Sequence, residues 1–451
     1  MKLISLAFLL GLYCITLPAQ VAVMSQPEAG FEERIRDYVD NMRIVDSHEH
    51  QLNPTYYKNN RMYDFTLLFH HYSDDDIRSG GMSEKMFNRL LTDSLSVMQK
   101  WEIFKPYWKN ASNTAYNRAA MLTIRNLYGI EELNDQTVVA LSDKIRDAYQ
   151  SPVEWYIHVM KDKCKINYVV NDMSENNFGD PSMMRHVTRF DSYINISSWG
   201  RIESLSKAKK ATINTLDDYV AIFHQDFDHA MKSKMVAVKT GLAYDRPLLY
   251  EDVSKERAEV VFNKLKNSKQ GDVFGFDEVK PLQDYMMHVV IAAAGKAKLP
   301  MQIHTGLQAG NENHITWTNP TLLGNLFQKY PDVKFLIMHG SYPYGGELAT
   351  LGKNFPNVYL DLCWLHIISP SYSERYLNEW VETVPVNKII GFGGDFRYPE
   401  GTFGHQLFAR QIIANVLVKK VHDGYFSEKE AIKYAQMILH DNAIEIMKLD
   451  Q

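Results

Sequence analysis

From Ile166 to Asp395 the chain repeats one texture: a short apolar run, then an amphipathic segment of helical period, then another apolar run. Buried parallel strands read as continuous apolar runs of this length, and the segments between them, with apolar residues three and four apart, read as crossover helices. The clearest runs are Met235 to Lys239, Pro300 to His304, Val333 to Met338, Val358 to Asp361 and Lys388 to Asp395. Ile166 to Val170 is a further strand, and a weaker run lies near Thr188 to Tyr193. With Arg43 to Asp46, which leads into His48 and His50, the strands end near His50, Val170, Asp191, Lys239, His304, His339, Asp361 and Asp395. Eight parallel strands alternating with helices predict an α/β fold, a (β/α)8 TIM barrel.

In such a barrel the site is assembled at the carboxyl ends of the strands. Ionisable side chains stand at those ends. In Asp46-Ser47-His48-Glu49-His50, alternation along a strand points His48 and His50 the same way and Glu49 the other. Taken alone, a His-x-His pair reads equally as half of a metal site or as two surface imidazoles. His304, His339 and Asp395 at three further strand ends favour the metal site. His70, His71, His366 and His405 lack a strand-end position and stand outside the set.

The remaining features bound the problem. The 451 residues are 45% hydrophobic with a formal net charge of −5, which suits a large buried core and gives no basic surface for nucleic acid. Met1-Lys2, an apolar stretch from Leu3 to Leu17 and Pro18-Ala19-Gln20 read as a secretory signal peptide over 1–22, cleaved between Ala19 and Ala22. The stretch is short for a membrane span. The mature chain, 23–451, is therefore expected to be exported, periplasmic or secreted, with no stable membrane insertion. Once that peptide is gone only Cys164 and Cys363 remain, too few for a disulfide framework, so any metal is held by His and carboxylates.

Between the first and second strands, about 51–164, the texture is helical, as in Met86 to Trp101 and Asn117 to Tyr128. This helical insertion carries His70, His71, Tyr72, Asp74, Asp75, Asp76 and Arg78. It reads either as a solvated acidic turn beside two ordinary histidines or as a cover that helps choose the substrate.

Asp46-x-His48-x-His50 on the first strand, His304 on the fifth, His339 on the sixth and Asp395 on the eighth resemble the amidohydrolase superfamily. Ile438-Leu439-His440-Asp441-Asn442-Ala443 is similar to the closing helix of its amidohydrolase-related branch, which also contains decarboxylases and lactonases. The resemblance spans most of Arg43 to Leu449 and is loose over the insertion. It implies a metal-dependent enzyme.

His48, His50, His304 and Asp395 form a ligand set suited to one divalent ion, Zn2+ first and Mn2+ or Fe2+ as alternatives. Asp395 is expected to accept the proton of the attacking water, and His339 to polarise the substrate carbonyl, a role the resemblance also implies. Lys239 either bridges two metals after carbamylation, as in some branches of the superfamily, or binds a substrate anion. Tyr244, Arg246 and Arg397, with Arg189, hint at an acidic group on a small-molecule substrate; each arginine reads equally as a partner of surface carboxylates. Asp361 is either a support of the site or merely structural. Three functions follow: hydrolysis of an amide, ester or lactone; decarboxylation or uronate-type isomerisation on the same scaffold; or a catalytically silent exported binding protein, which an intact ligand set argues against. Self-association into a homo-oligomer is left open.

Overall fold

In the computed structural model the described residues run from 28 to 450, apart from 60–62, 93, 173–179 and 181. The expected signal peptide lies outside them. Eight parallel strands form one sheet in sequential order: β1 Ile44–Glu49, β2 Ile166–Asn171, β3 Met184–Arg189, β4 Ala237–Thr240, β5 Met301–Ile303, β6 Phe335–Ile337, β7 Val358–Asp361 and β8 Ile389–Ile390. After Ile390 the chain leaves regular strand geometry but still reaches β1. Ser47 N donates to Phe392 O at 3.0 Å, Asp395 N to His48 O at 3.0 Å and His50 N to Phe396 O at 3.1 Å. The sheet is thus a nearly closed (β/α)8 barrel.

Helices surround it because each crossover carries one apolar stripe. Leu216–Lys232, for example, is opened by Thr215 and Asp218 in a reciprocal cap and buries Leu216, Tyr219, Ile222, Phe223 and Phe227. At the amino end of the barrel, Ala443, Ile446, Met447 and Leu449 pack with Val45, Val170, Val187, Leu336 and Ile390, so the last helix plugs that end.

β8 stops at Ile390, short of the expected end at Asp395, and two further strands differ from their expected positions. β3 occupies Met184–Arg189, and Asp191 instead opens a short helix, Asp191–Ile194. Its half-polar run, Met-Arg-His-Val-Thr-Arg, follows from a strand with only Val187 fully buried. β2 runs one residue beyond Val170, which brings Asp172 to a strand end.

The insertion builds a second core. Phe65, Phe69, Trp101, Phe104, Tyr116 and Ile124 cluster there, and they pack directly on Met338, Cys363, Trp364, Phe396 and Tyr398 from the barrel. Those five follow β6, β7 and β8, so the insertion seats on the carboxyl mouth.

Candidate metal centre

The His48 imidazole at the mouth is oriented by a partner that fixes its tautomer. Gln302 on β5 donates from Nε2 to Ser47 O at 2.8 Å. Its Oε1 is therefore the atom 2.9 Å from His48 Nδ1, which must carry the proton and donate. The lone pair of His48 is then on Nε2, 3.6 Å from Asp395 Oδ1. His50 Nε2 is 3.1 Å from the same oxygen, without hydrogen-bond geometry. One ligand atom each from His48, His50 and Asp395 all lie within 4.8 Å of one another.

Burial and neighbouring groups keep His48 and Asp395 in the right protonation state. It holds the His48 imidazole well below its ordinary value, with Lys239 and His50 adding to the effect. Burial alone would raise the Asp395 carboxyl, but His50, His339 and His48 bring it well below the carboxylate range. Neutral imidazoles and an ionised carboxylate are the forms a divalent ion requires. The fit also shows in what is left unbonded: His48 Nε2 and Asp395 Oδ1 are buried and have no hydrogen-bond partner. Such atoms are costly unless something polar or charged joins them. A second grouping, His339, Cys363 and Asp395, is poorer, because burial raises the Cys363 thiol well above its usual range.

Backbone strain marks the same place. Asp395 (φ 61°), His339 (φ 62°) and Trp364 (φ 64°) stand in the left-handed region that L residues rarely adopt. Gly393 and Gly394 make the Asp395 turn feasible. A Cβ on Gly393 would lie 2.7 Å from Ser47 Oγ and 2.8 Å from Cys363 Sγ, and one on Gly394 would land on Glu49 Oε1. Glu49 faces away from the imidazoles and accepts from Phe396 N and Thr402 Oγ1. Asp46 accepts from Gly394 N at 2.9 Å. Asp361 accepts from Ser47 Oγ at 2.9 Å and Cys363 N at 2.9 Å. All three carboxyls support the strand ends.

With this geometry in place, residues 264–449 match the family model described as amidohydrolase. Over that carboxyl-terminal stretch the chain is similar to the amidohydrolases. The protein fluG of Emericella nidulans is 31% identical over 180 residues, 39% of this chain and 21% of that protein. A uronate isomerase of Nostoc punctiforme is 25% identical over 296 residues, 60% of each. The chain thus spans about a fifth and three fifths of these two curated relatives. The crystal structure of a glucuronate isomerase from Caulobacter crescentus superposes with a TM-score of 0.74 over 94% of each chain at 17% identity, a likeness of fold.

Not every residue singled out from the sequence joins the trio. His304 Nε2 is 2.9 Å from Leu307 O, to which it donates, so its Nδ1 accepts from His339 Nε2 at 2.9 Å. Both His304 nitrogens are thereby engaged. His339 Nδ1 stands 3.8 Å from Asp395 Oδ2. Lys239 is buried at the mouth with Nζ against Met338 Sδ, and burial pushes its ammonium down to about 8. Tyr244 lays its ring over His304 at 4.7 Å and accepts from Ala309 N. Arg397 is exposed two residues past Asp395. Arg246 is turned into the fold: fully buried, it donates to Asp284 Oδ1 at 2.6 Å, Gln283 Oε1 at 3.0 Å and two carbonyls.

Other residues at the site carry a weak sequence signal or none. Gln302 shares alternation with His304 and is legible on that ground. Asp172 becomes a strand-end residue only with the extra residue of β2. His71 and Tyr72, on the insertion, reach the mouth with φ of 75° and 76°. The His71 ring lies 6.3 Å from that of His50, and its Nδ1 is buried without a hydrogen-bond partner. Tyr72 stacks on Trp364 at 4.5 Å. Nothing local in the sequence reports such long-range placement.

Proposed function

We propose that this chain is a mononuclear, zinc-dependent hydrolase that opens an amide, ester or lactone bond in a small acidic molecule outside the cytoplasm. The observation that carries the reading is the pairing of two buried, unbonded atoms, His48 Nε2 and Asp395 Oδ1, with His50 alongside. An ion held by His48, His50 and Asp395 supplies Lewis acidity, polarising a substrate oxygen and lowering the pKa of water. Asp395, held as a carboxylate, is placed to accept a proton, and its strained backbone keeps that oxygen aimed. His339, held neutral by burial at about 3, bonds His304 through Nε2 and stands with Nδ1 3.8 Å from Asp395 Oδ2, beside the reacting groups. Lys239 and Arg397 supply positive charge for an acidic substituent. Stacked Tyr116, Tyr72 and Trp364 wall off water.

A second reading, aldose–ketose isomerisation of a sugar acid, is favoured by His71. Isomerisation needs one group to take a proton and another to return it. His71, held neutral by burial and then by Arg397, gives a second base beside Asp395. The uronate isomerase relative supports the same reading.

One experiment separates them. Purified 23–451 is assayed for metal content and incubated with esters, lactones, N-acyl compounds and uronic acids, with products weighed by mass spectrometry. About one zinc per chain is expected. Products heavier by one water mean hydrolysis, an unchanged formula means isomerisation, and lost carbon dioxide means decarboxylation. Asp395→Asn should reduce turnover by about 10²- to 10⁴-fold. A folded chain that binds no metal, or full turnover in that variant, overturns the mechanism.

A further inference from the structure

Gln302 fixes the tautomer of His48. His50 needs the same service, because its Nε2 faces Asp395 and a bare Nε2 requires the proton on Nδ1. The acceptor beside that Nδ1 is Asp172, whose Oδ2 lies 3.6 Å away. We propose that Asp172 is a positioning residue that holds His50 in its Nδ1–H form, with Arg189 as the counter-charge. The proposal rests on the metal-enzyme reading above.

Three independent features place Asp172 for this task. Its backbone N donates to Glu49 O at 2.7 Å, which ties it to the residue before His50. Its side chain is only 1% exposed, and Arg189 from β3 grips Oδ2 through both Nε, at 2.6 Å, and Nη2. Space for that guanidinium is reserved on β4's side: a Cβ on Gly241 would lie 2.6 Å from Arg189 Nη1. A buried carboxylate is costly without a partner charge, and Arg189 provides one without touching the imidazoles' ligand atoms. The 3.6 Å separation is longer than a hydrogen bond, and such contacts commonly tighten once a ligand draws the ring into place. His48 Nε2 is also 3.9 Å from Oδ2, but the Gln302 contact already places the His48 proton on the other nitrogen.

The test uses the metal-stripped mature chain, titrated with Zn2+ against a chromophoric chelator. Asp172→Ala should lower zinc affinity about 10- to 100-fold. Asp172→Asn keeps an acceptor oxygen and should lose only a few-fold. It also serves as the folded comparison if the alanine variant does not fold. In the zinc-loaded protein, nitrogen-15 NMR should show a protonated Nδ1 at His50 that is lost or mixed in Asp172→Ala, a signature that simple loss of packing does not produce. Wild-type affinity with an unchanged His50 signal in Asp172→Ala overturns the proposal. Equal losses beyond 100-fold in both variants also overturn it, because Asp172 would then be a direct ligand. A folded wild-type chain that holds no zinc overturns this proposal together with the metal reading, whereas the other two outcomes leave that reading standing.

Discussion

Where β8 meets β1, the contacts are polar, short and made through glycine; where the insertion meets the mouth, they are mostly aromatic. At the seam, Asp46 accepts from Gly394 N, Glu49 from Phe396 N, and Asp361 from Ser47 Oγ. At the insertion, Tyr116 and Tyr72 stack toward Trp364, and Tyr398 donates its hydroxyl to His70 O at 2.9 Å. The first kind of contact tolerates little displacement, because hydrogen bonds weaken steeply with angle. The second slides at little cost, since stacking energies are modest and loosely directional. On the function proposed above, ligand geometry belongs to the seam and the shape of the substrate surface to the insertion. This division lets one scaffold keep its centre while its cover varies.

The most forceful way to break that contrast is one methyl group at each region. In Gly394→Ala the new Cβ lands on Glu49, 2.8 Å from its Cδ and 3.0 Å from Thr402 Cγ2, with buried partners on every side. A loss of about 3 kcal/mol in chemical unfolding is expected, together with loss of metal. Gly310, beside the insertion, has φ +92°, and a Cβ added there would meet nothing within 4 Å. Gly310→Ala should lose only about 1 kcal/mol, the strain of a left-handed backbone. Equal losses would mean that the seam is no tighter than the cover.

The same contrast explains what the sequence discloses. Strand order and the ends at His48, His50, Asp361 and Asp395 are legible because buried parallel strands write themselves as apolar runs. β3 lies earlier than the apolar pattern places it because four of its six residues, Met184, Arg185, His186 and Thr188, are only half buried, so its run reads as polar. Asp172 is hidden by one residue of strand length. Arg246 reads as a mouth residue from its distance to β4, yet its partner Asp284 lies 38 residues further along and draws it into the core. His71 and Tyr72 depend on how the insertion docks, which no local pattern encodes. The helix expected over Met86 to Trp101 is two, Glu84–Leu90 and Val97–Ala111, because Ser96 caps the second with Gln99.

A smaller effect at the seam comes from pH. Burial holds the Asp361 carboxyl up at about 7, against 3.8 for an ordinary aspartate. Between those values the folded chain keeps a proton that the unfolded chain has released. The contribution is therefore complete below about 4 and is lost as pH rises toward 7. Asp361→Asn removes this dependence while keeping the shape of the side chain. Relative to wild type it should gain up to about 1 kcal/mol per pH unit across that window, measured by urea unfolding at pH 4.5, 5.5 and 6.5. A constant difference would mean that Asp361 is ionised in the folded protein.

The smallest effect is at the edge of the cover. Asp75 Oδ2 accepts from Gly310 N at 2.7 Å, and its carbonyl accepts from Asn311 Nδ2 at 3.4 Å, so this one residue pins the insertion to the loop after β5. Asp75→Ala removes the first bond and leaves the backbone bond in place. A single hydrogen bond contributes about 1 kcal/mol net, so the Gly310 amide should exchange its proton roughly 5- to 10-fold faster. Melting temperature should stay within a degree or two of wild type. The Asp395 amide, bonded to His48 O across the seam, should keep its protection, because no apolar contact of the seam is disturbed. If both amides accelerate together, insertion and seam open as one cooperative unit, and the cover could not vary without loosening the centre beneath it.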